Sequence, residues 1–112
     1  MAKISRTLWG QQFDRCWCCG QPADPAKCRH LETHEIARGV HRAKAVAAPA
    51  AWIRVCSLCH DTVGSMSIVT QLAMKKINDP ECYDRVAVNR MRGRADEAVT
   101  EAEVDEAVAI LE

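Results

Sequence analysis

Four of the seven cysteines stand in two pairs that have the same spacing, Cys16-x-x-Cys19 and Cys56-x-x-Cys59. Two residues between cysteines allow one tight turn to point both sulfurs at one ion, and two such turns complete a tetrahedral four-sulfur zinc site. Gly20 follows the first pair and permits the tight backbone that this turn needs. The spacing therefore predicts a structural Zn²⁺ ion held by Cys16, Cys19, Cys56 and Cys59.

The three remaining cysteines leave alternatives open within this prediction. Cys18 could replace a ligand of the first pair, and Cys28 together with His30 could replace part of one pair. One pair could also be a redox or a merely buried dithiol. Cys82 is spare, and lone cysteines usually act as small buried apolar side chains.

Two histidines indicate a second site with different chemistry. His34 lies in a segment that can form a strand, and His60 directly follows the second cysteine pair. If a metal ion pins these segments together, both imidazoles can bind a divalent cation such as Mg²⁺ or Mn²⁺, which would polarise a phosphate group. Glu35 is available as a ligand or as a general base. Basic side chains suited to phosphate contacts follow closely: Arg38, Arg42 and Lys44.

The net charge of zero hides an asymmetry between the two halves of the 112-residue chain. Residues 1–60 carry nine Lys and Arg against four Asp and Glu, whereas residues 61–112 carry six against eleven. The basic half holds every candidate site and is the half that can face nucleic acid. The acidic C-terminal segment is typical of a solvated helix, with binding of a protein partner as the alternative.

Composition limits the classes of protein to which the chain can belong. The apolar fraction is 48%, but much of it is Ala and Cys, so the core is thin and a bound metal would help it to fold. No apolar run approaches the ~20 residues that span a bilayer, and the N-terminal segment lacks the apolar stretch of a secretion signal. We therefore expect a cytoplasmic protein without a membrane partner, in which clustered cysteines bind metal rather than form disulfides.

Hydrophobic pattern and residue type predict the strands that must position these side chains. A strand over residues 29–36 would put His34 on one face and Glu35 on the other. A second strand over 52–56 is rich in β-forming residues. Residues 1–13 are weakly patterned and would form a lead-in or a short strand.

Capping residues predict the helices. A short helix can start at the second cysteine pair and stop at Gly64. The C-terminal half then holds three further helices, each with its own start signal: Ser67 before 68–78, Asp79-Pro80 before 80–92, and the capping box Thr100-x-x-Glu103 before 101–111.

Across residues 14–64 the sequence resembles the HNH, or ββα-metal, endonuclease superfamily, and most of all its small phage- and prophage-type members with two C-x₂-C pairs. The matching pieces are CWCCG at 16–20, HEI at 34–36 and CSLCH at 56–60. The resemblance implies an α+β fold, in which a zinc-stapled ββα module over residues 1–66 is followed by a helical C-terminal extension over 67–112 packed on it. It also implies that the chain is a divalent-metal-dependent endonuclease that hydrolyses phosphodiester bonds in DNA.

The resemblance further implies a role for individual residues. His60 matches the family's last motif histidine, a metal ligand at the start of the helix. His34-Glu35 stands where the family has an acidic-His or His-His pair, whose members are ligand and general base, so that each residue can take either role. No Asn occurs between residues 37 and 55, and no second histidine follows His60, where Asp61 is the available substitute. These differences leave a second hypothesis open, a catalytically inactive zinc module that binds DNA or a host protein.

Overall fold

A computed structural model of the chain describes residues 4–36, 42–92 and 98–112. These residues form one two-stranded antiparallel sheet and six α-helices, which confirms the predicted α+β class. The strands are β1 (Leu31–Glu35) and β2 (Trp52–Cys56), and the helices are α1 (Arg6–Gln11), α2 (Arg42–Val46), α3 (His60–Gly64), α4 (Ile68–Asn78), α5 (Arg85–Arg92) and α6 (Glu101–Leu111).

The two strands form a hairpin in which Thr33 lies opposite Arg54. Alternate side chains of a strand point to opposite faces of the sheet. Glu32 and His34 therefore lie on one face of β1, whereas Thr33 and Glu35 lie on the other. The strand therefore directs His34 and Glu35, which are adjacent in sequence, to opposite faces of the sheet.

The hydrophobic core fills the space between the hairpin and the C-terminal helices. It draws side chains from the chain on both sides of residue 66, and the division into a module and an extension stays a prediction. Helices α4 and α6 lie against each other, and α4 also contacts β2. The fully buried members of the core include Ile36, Ile53, Val55, Val63, Leu72, Ala73, Val88 and Val104.

A buried ion pair fastens the far end of the hairpin to α4 and α1. The ammonium group of Lys75 is completely buried and donates to Asp79 Oδ2 at 2.7 Å and to the carbonyl oxygen of Trp52 at 2.9 Å. Trp9 Nε1 donates to the same Asp79 oxygen at 2.8 Å. A buried charge is tolerated when it is paired and its hydrogen bonds are satisfied, so this group joins three elements that are remote in sequence.

This ion pair also explains why the predicted start of α5 is wrong. The helix begins at Arg85 rather than at residue 80, because the carboxylate of Asp79 is committed to Lys75. Asp84 caps the helix instead, since its Oδ1 accepts from the backbone N–H of Ala87 at 3.0 Å.

The other predicted caps of the C-terminal half are confirmed. Ser67 Oγ accepts from Thr70 N at the start of α4, and Thr100 and Glu103 form the reciprocal capping box of α6. Over residues 4–13 the chain forms a helix rather than a short strand: Ser5 caps α1, which carries a buried Trp9 under the hairpin.

Part of the acidic face of α6 is paired within the chain. Lys76 Nζ contacts Glu101 Oε2 and Asp105 Oδ1, each at 2.7 Å. Glu101 also accepts from the hydroxyl of Tyr83 and the guanidinium of Arg85. These contacts attach α6 to α4 and α5, and a protein partner for the acidic helix stays a prediction.

Candidate metal centre and histidine cleft

The four cysteines of the two C-x₂-C pairs converge on one point. Their Sγ atoms all lie within 4.8 Å of one another, and Cys19 Sγ is 3.9 Å from Cys56 Sγ. A tetrahedral ion with Zn–S bonds of about 2.3 Å would separate its sulfurs by roughly 3.8 Å. The cluster therefore has the donor set and the spacing of a structural metal site.

The first turn is shaped to present its sulfurs. The backbone N–H groups of Cys18 and Cys19 point at Cys16 Sγ, with N–S distances of 3.4 and 3.5 Å. The N–H of Gly20 donates to Cys16 O at 2.9 Å, and Gly20 has a φ of 75°, which glycine adopts without a steric penalty. Cys18 and Cys28 lie outside the cluster, so Cys16 and Cys19 are the ligands that this turn offers.

Electrostatics explains why this cluster suits a cation. Burial would raise the pKa of Cys56, but hydrogen bonds from Cys59 and from the backbone of Leu58 lower it to about 7. Burial, followed by the neighbouring sulfurs, raises the pKa of Cys59 well above its usual range. One thiolate therefore forms readily while the next is opposed, and a bound cation removes that opposition because it stabilises all the thiolates.

The two predicted histidines meet on the face of the hairpin that faces α3. His34 projects from β1 and His60 is the first residue of α3, and their ring centroids are 5.1 Å apart with the planes nearly perpendicular. Both rings line an open cleft of about 390 Å³, together with Asp61, Gly64 and Ser65. The second cysteine pair ends one residue before His60, so the cysteine cluster fixes where α3 begins.

Each ring is oriented by a hydrogen bond to an oxygen acceptor. His34 Nε2 donates to Gln71 Oε1 at 2.9 Å, and Gln71 Nε2 donates in turn to the carbonyl oxygen of Met66, which fixes the amide orientation. His60 Nδ1 donates to Glu32 Oε1 at 2.7 Å, and this hydrogen bond lowers the pKa of Glu32. A neutral imidazole that donates from one nitrogen carries its lone pair on the other, and metal-binding histidines are commonly held in this way.

Sequence reasoning missed Glu32 and Gln71. Glu32 stands two residues before His34, so strand alternation alone places it on the same face. Gln71 gave no local signal, because it reaches His34 across a separation of 37 residues.

Glu35 lies away from the cleft. Its side chain is on the opposite face of the hairpin, where Oε1 accepts from Arg6 Nη2 at 2.9 Å, and only 6% of it is exposed. The structure therefore brings together His34 and His60 but does not bring Glu35 to them.

The predicted phosphate-binding residues are only partly described. Arg38 lies outside the described residues. Arg42 is the first residue of α2, and the structure does not describe its side chain. Lys44 is exposed on α2.

Within residues 4–36, 42–92 and 98–112, the four cysteines are the one group of three or more metal-binding side chains close enough to share an ion. None of the helices in the described part of the chain is both long and apolar enough to cross a membrane. Comparisons with protein-family models, with curated proteins and with solved structures gave no match.

Proposed function

We propose that the chain is a divalent-metal-dependent DNA endonuclease of the HNH, or ββα-metal, type, with Zn²⁺ as its structural ion. The observation that carries the proposal is the pair of imidazoles, one from β1 and one from the start of α3, that line one open cleft 5.1 Å apart. Strand, strand and helix follow one another in the order that the resemblance requires: β1, β2 and then α3.

The hydrogen bonds around each ring hold it in an orientation that is compatible with the proposed chemistry. Glu32 holds the Nδ1–H of His60, and Gln71 holds the Nε2–H of His34, so both rings are fixed in tautomer and direction. We assign His60 as a ligand of the divalent ion, with Asp61 beside it in the cleft as the available carboxylate.

The ion, when bound, would supply Lewis-acid stabilisation of the charge that develops on the phosphate. His34 is then the general base. Its ring accepts a proton from the attacking water as the water oxygen bonds to phosphorus, the P–O bond to the leaving sugar oxygen breaks, and that oxygen takes a proton from solvent. Glu35 has no part in this step, because it faces Arg6 on the other side of the hairpin.

A plasmid-nicking assay tests this proposal. Wild-type protein should convert supercoiled plasmid to nicked circles in the presence of Mg²⁺ or Mn²⁺ and not in EDTA. His34→Ala should lower the rate by about 10²–10⁴-fold, the usual contribution of a general base, and His60→Ala should abolish nicking. Glu35→Gln should keep the rate within a few-fold of the wild type.

His30→Ala is the matched control. The ring of His30 is exposed and contacts the outer oxygen of Glu32, leaving the oxygen that holds His60 in place. This variant should cut as the wild type does. Equal cutting by His34→Ala, His60→Ala and wild type, at equal zinc content, would refute the proposed site.

A second candidate function is a non-catalytic zinc module that binds DNA or a host protein. It is favoured by the composition of the cleft, which holds two imidazoles and one carboxylate. Among the described residues, these three side chains do not lie close enough together to share one metal ion. Under this hypothesis the wild type would bind duplex DNA or a partner protein but would not cut with any divalent ion.

A further inference from the structure

A second cavity lies on the face of the hairpin opposite the histidine cleft. It has a volume of about 380 Å³ and is lined by Arg6 and Arg54 and by the edge of β1 at Leu31, Glu32 and Thr33. Arg54 and Thr33 are cross-strand partners on this face. The proposed nuclease site uses neither arginine.

The side chain of Arg54 is partly buried, and it has no counter-charge among the described residues. Its Nη1 donates to Thr33 Oγ1 at 3.2 Å, while its Nε is buried and has no acceptor among the described residues. Burial lowers the pKa of Arg54, and no described carboxylate forms an ion pair with it. A buried charge with unmet donors is unfavourable unless a partner completes it.

Arg6 adds a second guanidinium to the same cavity. Its Nη2 donates to the carbonyl oxygen of Thr33 and to Glu35 Oε1, both at 2.9 Å, and its buried Nη1 has no acceptor in the described part of the chain. Glu35 thus balances one of the two positive charges. The carboxylate of Glu32 lies on the other face of the sheet, where it contacts His30 and His60, so two guanidinium charges face one carboxylate on this side.

We propose that this cavity is an anion site that takes a phosphate group between Arg6 and Arg54. Guanidinium groups present N–H donors in a planar fork that matches phosphate oxygens, and a phosphate has enough oxygens to accept from two forks at once. The same group would supply the counter-charge that Arg54 lacks among the described residues. Inorganic phosphate, or a phosphate of a nucleic-acid backbone, can provide it.

Gly10 allows the position of Arg54 to be changed independently of its charge. A Cβ atom at this position of α1 would lie 2.8 Å from Arg54 Nη1, closer than a methyl group and a nitrogen can approach. Glycine is unfavourable inside a helix, so its presence here is explained by the guanidinium that packs on it. Gly10→Ala should displace Arg54 without changing the charge of the chain.

Two titrations of the full chain test the proposal, one with inorganic phosphate followed by NMR and one with a fluorescent duplex DNA of 20 base pairs followed by anisotropy. Loss of a charge-assisted hydrogen bond should weaken binding by about tenfold or more, so Arg54→Gln and Gly10→Ala should both weaken phosphate binding to this extent. Arg90→Gln, which removes the same charge from an exposed position on α5, should leave phosphate binding unchanged.

The two probes separate the sources of the phosphate. If a nucleic-acid backbone fills the site, Arg54→Gln also weakens DNA binding and lowers the slope of log K against log salt by about 1. If free phosphate fills it, DNA binding is unaffected. The proposal is overturned if the wild type binds neither probe. It is also overturned if Arg54→Gln and Arg90→Gln weaken binding equally while both variants keep the stability of the wild type. Because nicking is not measured, this outcome is independent of the proposed nuclease activity.

Discussion

Loss of one cysteine ligand should unfold the chain, and the perturbation that tests this is Cys56→Ser. A domain of 112 residues is stable by roughly 6–17 kcal/mol, taking about 0.05–0.15 kcal/mol per residue. Structural zinc contributes about 10–16 kcal/mol of apparent binding free energy at pH 7 in small metal-dependent domains. The two quantities are of the same size, so a chain that cannot hold the ion should keep little or none of its stability.

The position of Cys56 explains why its loss should affect the whole fold. Cys56 is completely buried at the end of β2, and its sulfur lies 3.9 Å from that of Cys19 on the other turn. The ion would therefore join two chain segments 36 residues apart, and its loss would release both. Cys28→Ser is the matched control, because Cys28 is exposed and outside the cluster, and this substitution should change the free energy of unfolding by less than about 0.5 kcal/mol.

Near-UV circular dichroism and zinc content together provide the assay. Trp17 lies within the first turn and packs edge-on against Trp9, with ring centroids 5.8 Å apart, so the tryptophan signal reports the order of this region. Wild type and Cys28→Ser should each carry about one zinc per chain, and strong chelators should abolish their signal. Metal-free protein that keeps its near-UV spectrum and its denaturation midpoint would refute the reasoning.

Three further perturbations test the packing that holds the site. Lys75→Met should cost about 3–5 kcal/mol in urea denaturation, because it leaves the buried carboxylate of Asp79 without its cation, whereas Lys76→Met, at a more exposed ion pair, should cost much less. Burial would raise the pKa of Asp79, but hydrogen bonds from Lys75 and Trp9 hold that pKa below the usual value of an aspartate. The resulting stabilisation is fully present above the usual pKa and is lost as the pH falls through the lowered pKa of the folded state. Asp79→Asn should therefore flatten the acid limb of a stability–pH curve. Thr100→Ala should cost about 1 kcal/mol, measured in the same way, because it removes the capping box of α6.

The parts of the fold that the sequence predicted are those that depend on near neighbours in the chain. The cysteine spacing needs only two tight turns, and the caps at Ser67 and Thr100 act on a backbone N–H three residues away. The start of α5 was mispredicted for the complementary reason. Asp79 followed by Pro80 is a good local cap, but the carboxylate of Asp79 instead accepts hydrogen bonds from the buried Lys75 and from Trp9, 70 residues away in sequence.

The residues of the candidate site likewise fall into those that local sequence indicates and those that only distant contacts bring into place. His34 was singled out by its place in the predicted strand and His60 by its place after the second cysteine pair, whereas their orienting partners could not both be found. Gln71 becomes a neighbour of His34 only after α4 packs under the hairpin. The two arginines of the second cavity are likewise brought together by the docking of α1 on β1, which no local pattern indicates.

Glu35 shows how a pattern in sequence can conflict with the geometry that the same sequence dictates. Adjacent residues of a strand point to opposite faces, so a strand that directs His34 at the cleft must direct Glu35 away from it. The resemblance to a paired motif favoured a shared role for the two residues, and the predicted strand opposed it. The structure resolves the conflict in favour of the strand: Glu35 is buried against Arg6, where it balances one of two neighbouring guanidinium charges and so leaves the other, on Arg54, in need of an anion.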